Sequence, residues 1–389
     1  MSADMPPDGA PLRIGIACFS TFGGSGVIAT EVGMSLARRG HQIHVFSDDR
    51  PGRLDDRQPN VTFHRVDARA YPQIKDSAHM LALTGKIVDV ARRERLQLIH
   101  AHYALPHAVA AMLARQVIGD DAPRLVTTLH GTDITLVGSD PSFLPLTRFS
   151  ILASDAVTVP SVWLREATHR YLDVPSTVAI EVIPNFVDSE RFSPAPPGAT
   201  PPGASTSGAR QRPRLVHVSN FRAVKRPEDV VQVFARVRAV RPATLLMIGD
   251  GPERAATQAL AQTLGLAADV HFLGERIDLT EALRGSDVFL LPSETESFGL
   301  AALEAMACGV PVVASAVGGL AEVITHGETG FLAPLGDVDG MAARVALLLD
   351  DPALHARMSH AARQRAATVF QVAPAVDRYA AVYRRVLGL

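Results

Sequence analysis

Two glutamates eight positions apart, Glu296 and Glu304 in ETESFGLAALEAMACG, are the residues whose surroundings most demand a ligand. Glu304 sits inside FGLAALEAMA, a run of good helix formers that is otherwise apolar and mostly small. A carboxylate buried in such a helix costs several kcal/mol unless donors meet it, and the diol of a ribose is a donor pair of the right kind. If the helix begins near Gly299, the backbone N–H groups of Phe298, Gly299 and Leu300 leave its first turn aimed at an anion. Glu296 lies just before that positive end, where it could accept from the hydroxyls of a sugar carried beyond a diphosphate. The plainer alternative is a surface glutamate followed by a helical one with an arginine partner.

Two further stretches carry anion chemistry. In SNFRAVKRPED, Asn220, Arg222, Lys225 and Arg226 fall in the turn before a helix that starts at Pro227. Cations at a helix N-terminus oppose its dipole, so the cluster makes sense mainly if an anion such as a diphosphate occupies the spot. A solvated basic loop is the alternative. In FGGSGVIATEVG, Gly23, Gly24 and Gly26 follow the first strand and let backbone N–H groups approach a phosphate closely. The same loop fits Gly-x-Gly-x-x-Ala through Gly24, Gly26 and Ala29, with Asp48 and Asp49 ending the next strand, as in a nicotinamide dinucleotide fold. A plain tight turn also fits it. The dinucleotide reading leaves the basic turn and the glutamates unexplained.

The elements that must position these residues alternate from Leu12 onward. LRIGIAC, a helix from about Gly26 to Arg39, HQIHVFS, RLVTTLH and DAVTVP form the pattern of a parallel sheet covered by helices. The alternation restarts with RLVHVS, a helix from about Pro227 to Val240, ATLLMIG, DVHFLG, DVFLLP, the FGLAALEAMA helix and PVVAS. Between the halves, SPAPPGATPPGASTSGARQRP has no acidic or bulky apolar residue to contribute to a core. The expected layout is a tail at 1–11, a first α/β domain at 12–190, a linker at 191–213, a second α/β domain at 214–370, and a helix at 371–389 returning to the first. Such doubly wound sheets bind ligands beyond the carboxyl ends of their strands, so the site is expected in a cleft between the domains.

Composition excludes several classes. With 389 residues, 47% hydrophobic and 20% charged, the chain can build two full cores. A formal net charge of −2 disfavours nucleic acid as a partner. Cys18 and Cys308 lie in apolar contexts far apart and read as buried reduced thiols, consistent with the cytoplasm. The start, MSADMPPDGAPLR, lacks the basic and apolar regions of a signal peptide, and AMACGVPVVASAVGGLA is interrupted by Pro311 and glycines. Neither a bilayer span nor a membrane partner is expected.

Taken together, these residues resemble a known family. Glu296 and Glu304 in ETESFGLAALEAMACGVPVVAS form the Glu-x7-Glu motif of retaining glycosyltransferases of the GT-B fold, which have two Rossmann-like doubly wound domains facing across a cleft. More narrowly, CFSTFGGSGVIATEVG, IHAHYALPHA, TTLHGTDITLVGSDPS, SNFRAVKRPEDV and IGDGPE resemble the N-acetyl-α-glucosaminyl L-malate synthases. The resemblance implies transfer of N-acetylglucosamine from UDP-N-acetylglucosamine to the hydroxyl of L-malate, with retention, as the first step of bacillithiol biosynthesis. It implies no metal and no cofactor. It makes Glu296 the carboxylate on the donor sugar and Glu304 the one on the ribose, with Phe298, Gly299 and Leu300 at the phosphate. Lys225, Asn220 and Arg222 would compensate the departing UDP, and Gly23 and Gly24 approach the donor phosphate. His130 would contact the transferred sugar near the reaction centre.

L-Malate carries two carboxylates, so its site needs fixed donors and a cation. The resemblance assigns these to Ser25, Tyr103, Thr132 and Arg148, which makes the 12–190 domain the acceptor-binding one and the 214–370 domain the nucleotide-sugar-binding one. Phe19 and Ser20 stand where the family carries a Tyr-Pro pair, beside the phosphate loop. The other readings are the same donor with an inositol phosphate or glycan acceptor, a non-catalytic nucleotide-sugar sensor, and an NAD-binding oxidoreductase. A homodimer completes the partner expectations.

Overall fold

A computed structural model of the chain describes residues 10–21, 23–67, 78–135, 137–138, 140–196 and 212–389. Residues 1–9 of the expected tail and 197–211 of the expected linker lie outside the described residues. The chain divides into two compact units, Met1–Pro184 with Ala373–Leu389, and Asn185–Val372.

In the first unit, β1 (Arg13–Ala17), β2 (Gln42–Ser47), β3 (Val61–Arg65), β4 (Leu98–His102), β5 (Arg124–Thr128), β6 (Ala156–Val159) and β7 (Ile180–Val182) form a parallel sheet in the order β3-β2-β1-β4-β5-β6-β7. Its central strands are buried on both faces because helices cover each side; Ile14, Ile16, Val45 and Ile99 are at most 1% exposed, and β4 and β5 also bring polar residues inside, among them His100 and His102. The Gly24–Arg38 helix packs Val27, Ile28, Val32 and Leu36 into that core. The order reverses between β1 and β4, and a crevice opens at their carboxyl ends.

The second unit repeats the arrangement. Here β8 (Arg214–Val218), β9 (Thr244–Ile248), β10 (Val270–Gly274), β11 (Val288–Leu291), β12 (Val312–Ser315) and β13 (Gly330–Ala333) run parallel in the order β10-β9-β8-β11-β12-β13. Its switch point falls between β8 and β11. The helix bearing Glu304 is Leu300–Ala307, capped by Gly299 and therefore one residue later than expected. Residues Ala302 to Ala307 are all buried; a helix apolar nearly all round must sit within the core. It packs against the Pro352–Val369 helix.

The unit boundary differs from the sequence expectation of 190. Residues beyond Pro184 dock on the second unit: Arg284 Nε donates to Ser193 O at 2.6 Å, and Arg363 donates to Phe192 O at 2.8 Å and Ser189 O at 2.9 Å. Val187 and Phe192 are buried in the second unit's core. At the other end, the Val372–Leu387 helix carries Tyr379 and Tyr383, both fully buried, into the first unit. Tyr383 Oη lies 2.6 Å from His100 Nδ1, and Arg385 pairs with Glu181 at 2.9 Å. Among the described residues no helix is long and apolar enough to cross a membrane. Both cysteines are free and buried, and burial pushes each thiol up to about 12.

Candidate active site

The second unit's crevice is built from three strand ends. After β8 the chain makes a short 3-10 turn, Ala223–Lys225, and enters the Pro227–Val240 helix through Arg226 at φ 49°. Proline at the first helical position needs no N–H partner, which fixes where the turn ends. Arg226 is not free for a ligand, because its guanidinium pairs with Asp229 at 2.6 Å. Lys225 instead reaches back across the crevice, with Nζ 2.7 Å from Glu296 Oε1. Asn220 and Arg222 are exposed, and Arg222 makes no ion pair among the described residues.

Glu296, 8% exposed, is held from several sides. Ser293 Oγ donates to the same Oε1 at 2.8 Å, so Lys225 and Ser293 share one carboxylate oxygen and leave Oε2 for a ligand. Its backbone carbonyl accepts from Gly319 N at 2.8 Å. Gly318, at φ +57°, passes so close that a Cβ there would stand 1.9 Å from that carbonyl. The loop after β12 is thus a clamp on Glu296. Behind Lys225, His217 Nε2 meets Ser219 Oγ at 2.8 Å and Nδ1 meets Leu290 O at 2.9 Å. Burial first, and then the Lys225 charge, push His217 down to about 4, so it is a neutral spacer.

Five residues downstream of Gly299, Glu304 is 3% exposed. Gly299 adopts φ +95°, and a Cβ there would meet Leu320 Cδ2 at 2.5 Å. That conformation starts the helix with no side-chain cap and no acidic residue in its first turn. Its leading N–H groups are left for an anion. The Phe298 ring faces inward, edge-on to Phe370 at 5.6 Å, so only its backbone serves the crevice.

In the first unit, the glycine loop enters the Gly24–Arg38 helix through Gly23 with no side-chain cap. Gly26 is required by space: a Cβ would stand 2.5 Å from Thr21 O and 2.8 Å from Phe19 O. Gly23 and Gly24 are exposed and Ser25 is half-buried. Phe19, the departure from the family pattern, packs edge-on against Tyr103 at 5.2 Å and His107 at 4.5 Å. Tyr103 in turn lies 5.1 Å from His130. The ends of β1, β4 and β5 are thereby joined by rings. Asp48, the dinucleotide candidate, is bonded to Ser47 at 3.2 Å; burial raises its pKa, and bonds from Ser20 and nearby backbone outweigh that and hold it below the usual range.

Asp133, 1% exposed, ties this region together by accepting from Gly131 N at 2.8 Å, His130 N at 3.1 Å and Ala104 N at 3.3 Å. Burial outweighs those bonds and pushes it up to about 6. Thr132 opens the short Thr132–Thr135 helix beside it. Arg148 lies on the Leu144–Leu152 helix and pairs with Asp173 at 3.2 Å. Asp173 is 91% exposed, and such a pair is worth only about 0–1 kcal/mol, so an incoming carboxylate can replace it.

A set of histidines beneath His130 was not singled out from the sequence. His102 Nδ1 is 2.9 Å from His130 Nε2, and His100 Nε2 is 2.6 Å from Thr128 Oγ1. Burial pushes His100 and His130 down to about 3, His107 to about 4, and His102 well below its ordinary value. The alternation His100-x-His102 on β4 was the available signal, since residues two apart share a strand face. Among the described residues no group of histidine, cysteine and carboxylate side chains is arranged to hold a metal ion.

Comparison with known proteins fits this geometry. The model for "Glycosyltransferase Family 4" matches residues 22–191, and that for "Glycosyl transferases group 1" matches 206–365. The chain is 44% identical over 376 residues to N-acetyl-alpha-D-glucosaminyl L-malate synthase of Bacillus anthracis, covering 97% of each. It is 28% identical over 371 residues to D-inositol 3-phosphate glycosyltransferase of Saccharomonospora viridis, covering 88% of this chain and 85% of that protein. Solved structures share the fold: sucrose-phosphate synthase from Thermosynechococcus elongatus at TM-score 0.80 and 22% identity, covering 97% of this chain and 99% of that one, and Anabaena Alr3699/HepE in complex with UDP and glucose at 0.77 and 20%, covering 95% and 98%. The GT-B class expected from the glutamate pair therefore holds, and the oxidoreductase reading of the glycine loop is set aside. The chain is a glycosyltransferase and belongs to the N-acetyl-alpha-D-glucosaminyl L-malate synthase family.

Proposed function

We propose that this chain moves N-acetylglucosamine from UDP-N-acetylglucosamine to the hydroxyl of L-malate, with retention and without a metal, in the cytoplasm. The observation that carries the reading is the 44% identity along 97% of both chains to a protein named for that product. The second unit supplies the donor chemistry. Glu304 takes the ribose hydroxyls, Glu296 Oε2 takes hydroxyls of the sugar, and the first N–H groups of the Leu300–Ala307 helix meet the diphosphate. Breaking the bond between the anomeric carbon and phosphate oxygen leaves positive charge on carbon and negative charge on UDP. Lys225 and Arg222 stabilise the latter as preorganised cations.

The first unit supplies the rest. Gly23 and Gly24 let backbone approach the donor phosphate, and His130 contacts the sugar. Ser25, Tyr103, Thr132 and Arg148 take L-malate, with Arg148 exchanging Asp173 for a malate carboxylate. The acceptor hydroxyl attacks from the face the phosphate leaves, and its proton passes to the leaving phosphate oxygen, so Glu296 forms no covalent bond.

The test is UDP release from UDP-N-acetylglucosamine by purified protein in EDTA, comparing L-malate, D-malate, inositol phosphate and no acceptor. Release with L-malate alone supports donor, acceptor and metal independence together. Turnover with inositol phosphate but not L-malate would overturn the acceptor, and silence in every arm would overturn the donor as well.

A further inference from the structure

We propose that His102 is a positioning residue that locks His130 in one neutral tautomer, with its proton on Nδ1, so that His130 offers a fixed N–H donor to the transferred sugar. The inference rests on the reading that His130 meets the sugar.

The two rings approach at 2.9 Å between His102 Nδ1 and His130 Nε2, with centroids 5.1 Å apart and planes 24° apart, so they meet edge to edge as an in-plane N–H···N bond requires. One nitrogen of that contact carries a proton and the other a lone pair. The choice is decided at the far side of His102. Its Nε2 is buried and has no hydrogen-bond partner among the described residues. Were the proton there, a buried N–H would go unpaired, the rarer and costlier kind of orphan; a lone pair left bare costs less. The proton on His102 therefore sits on Nδ1 and is donated to His130 Nε2. His130, whose Nε2 must then be the acceptor, keeps its own proton on Nδ1. That nitrogen has no partner among the described residues, and His130 retains 9% exposure.

The surroundings hold this pair in place. His102 is the last residue of β4 and 0% exposed, with its ring against His100 at 4.1 Å. His100 is fixed between Thr128 Oγ1 and Tyr383 Oη, each at 2.6 Å. His107 bonds the His102 backbone carbonyl, and Asp133 holds the His130 backbone N–H at 3.1 Å. Burial keeps both rings neutral, so the pair is a donor and an acceptor rather than two cations. A sugar hydroxyl meeting His130 thus finds a donor whose direction is set before binding, which is worth more than one that must reorient.

The test has a direct and a kinetic arm. In full-length protein labelled with nitrogen-15 histidine, long-range proton–nitrogen spectra should show His130 Nδ1 protonated and Nε2 bare, assigned by loss of the signals in His130→Gln. His130 protonated on Nε2 overturns the proposal whatever the activity. In His102→Asn an amide N–H stands where Nδ1–H stood, so the His130 tautomer should persist and most activity remain. In His102→Leu the tautomer preference should vanish and kcat fall about tenfold to a hundredfold, the range found when the outer hydrogen-bond partner of a metal-binding histidine is removed, with little change in the UDP-N-acetylglucosamine KM. Full activity in His102→Leu, or no rescue by Asn in a variant that melts like the parent, would also overturn it. If His130→Gln is fully active, the sugar contact itself is wrong, and the spectra still decide the tautomer separately.

Discussion

Glu296 is a side chain whose position the protein fixes through one carboxylate oxygen alone. Both donors it meets, Lys225 Nζ and Ser293 Oγ, fall on Oε1. Its position is therefore set without using Oε2. Glu304 is buried more deeply, at 3% exposure, in a helix whose other buried residues are apolar. Charge-assisted hydrogen bonds are worth about 1.5–3 kcal/mol each, so Glu304→Ala should raise the UDP dissociation constant roughly tenfold to a hundredfold. Titration calorimetry with UDP checks this, and parental affinity in that variant would remove the ribose contact. Arg148 sits in the other unit, with a partner open to solvent. Arg148→Ala should raise the L-malate KM tenfold or more, about the worth of one lost charge-assisted pair, while UDP binding stays the same. Equal losses for both ligands would show that the acceptor site lies elsewhere.

At the scale of elements, what the sequence revealed was what is local in it. The glycine loop, the basic turn ending at Pro227 and the Glu-x7-Glu helix each lie within a short window, and their turn and helix signals agree with the strands around them. The pair Lys225–Glu296 spans 71 positions and His100–Tyr383 spans 283, so no periodicity could join them. The strand β3 escaped for another reason, since its residues are half-exposed and its pattern weak. β4 and its neighbours carry a consequence for acid stability. Unfolded histidines bind protons below about pH 6.5, whereas buried His100, His102, His107 and His130 do so only at much lower pH. Each depressed histidine thus removes about 1.4 kcal/mol of stability per pH unit as pH falls below 6.5. Asp133, raised to about 6, acts oppositely, because the folded form takes its proton first; it offsets about one histidine. The urea midpoint should therefore fall steeply between pH 6.5 and 5, and His100→Gln should flatten the slope. A midpoint constant over that range would mean that these histidines are not neutral in the fold.

At the scale of the whole molecule, the six-strand order of the second sheet also occurs in the first, which adds β7 at its edge, and each unit has its own core. The last helix adds a constraint: although it follows the second unit in sequence, Tyr379 and Tyr383 are buried in the first. The first unit is therefore not complete until residues 373–389 have been made, while the second needs only its contiguous segment. Because the carboxylates assigned to UDP lie in Asn185–Val372, the nucleotide should stabilise that unit and not the other. At 100 times its dissociation constant a ligand adds about 2.7 kcal/mol, which raises the melting temperature of a unit this size by roughly 5–10 °C. Differential scanning calorimetry should then show two transitions, only one of which moves with UDP. Removing residues 373–389 should lower the other and leave the UDP-sensitive transition in place. A single transition that shifts as a whole with UDP, and drops as a whole on truncation, would show instead that the two cores unfold as one.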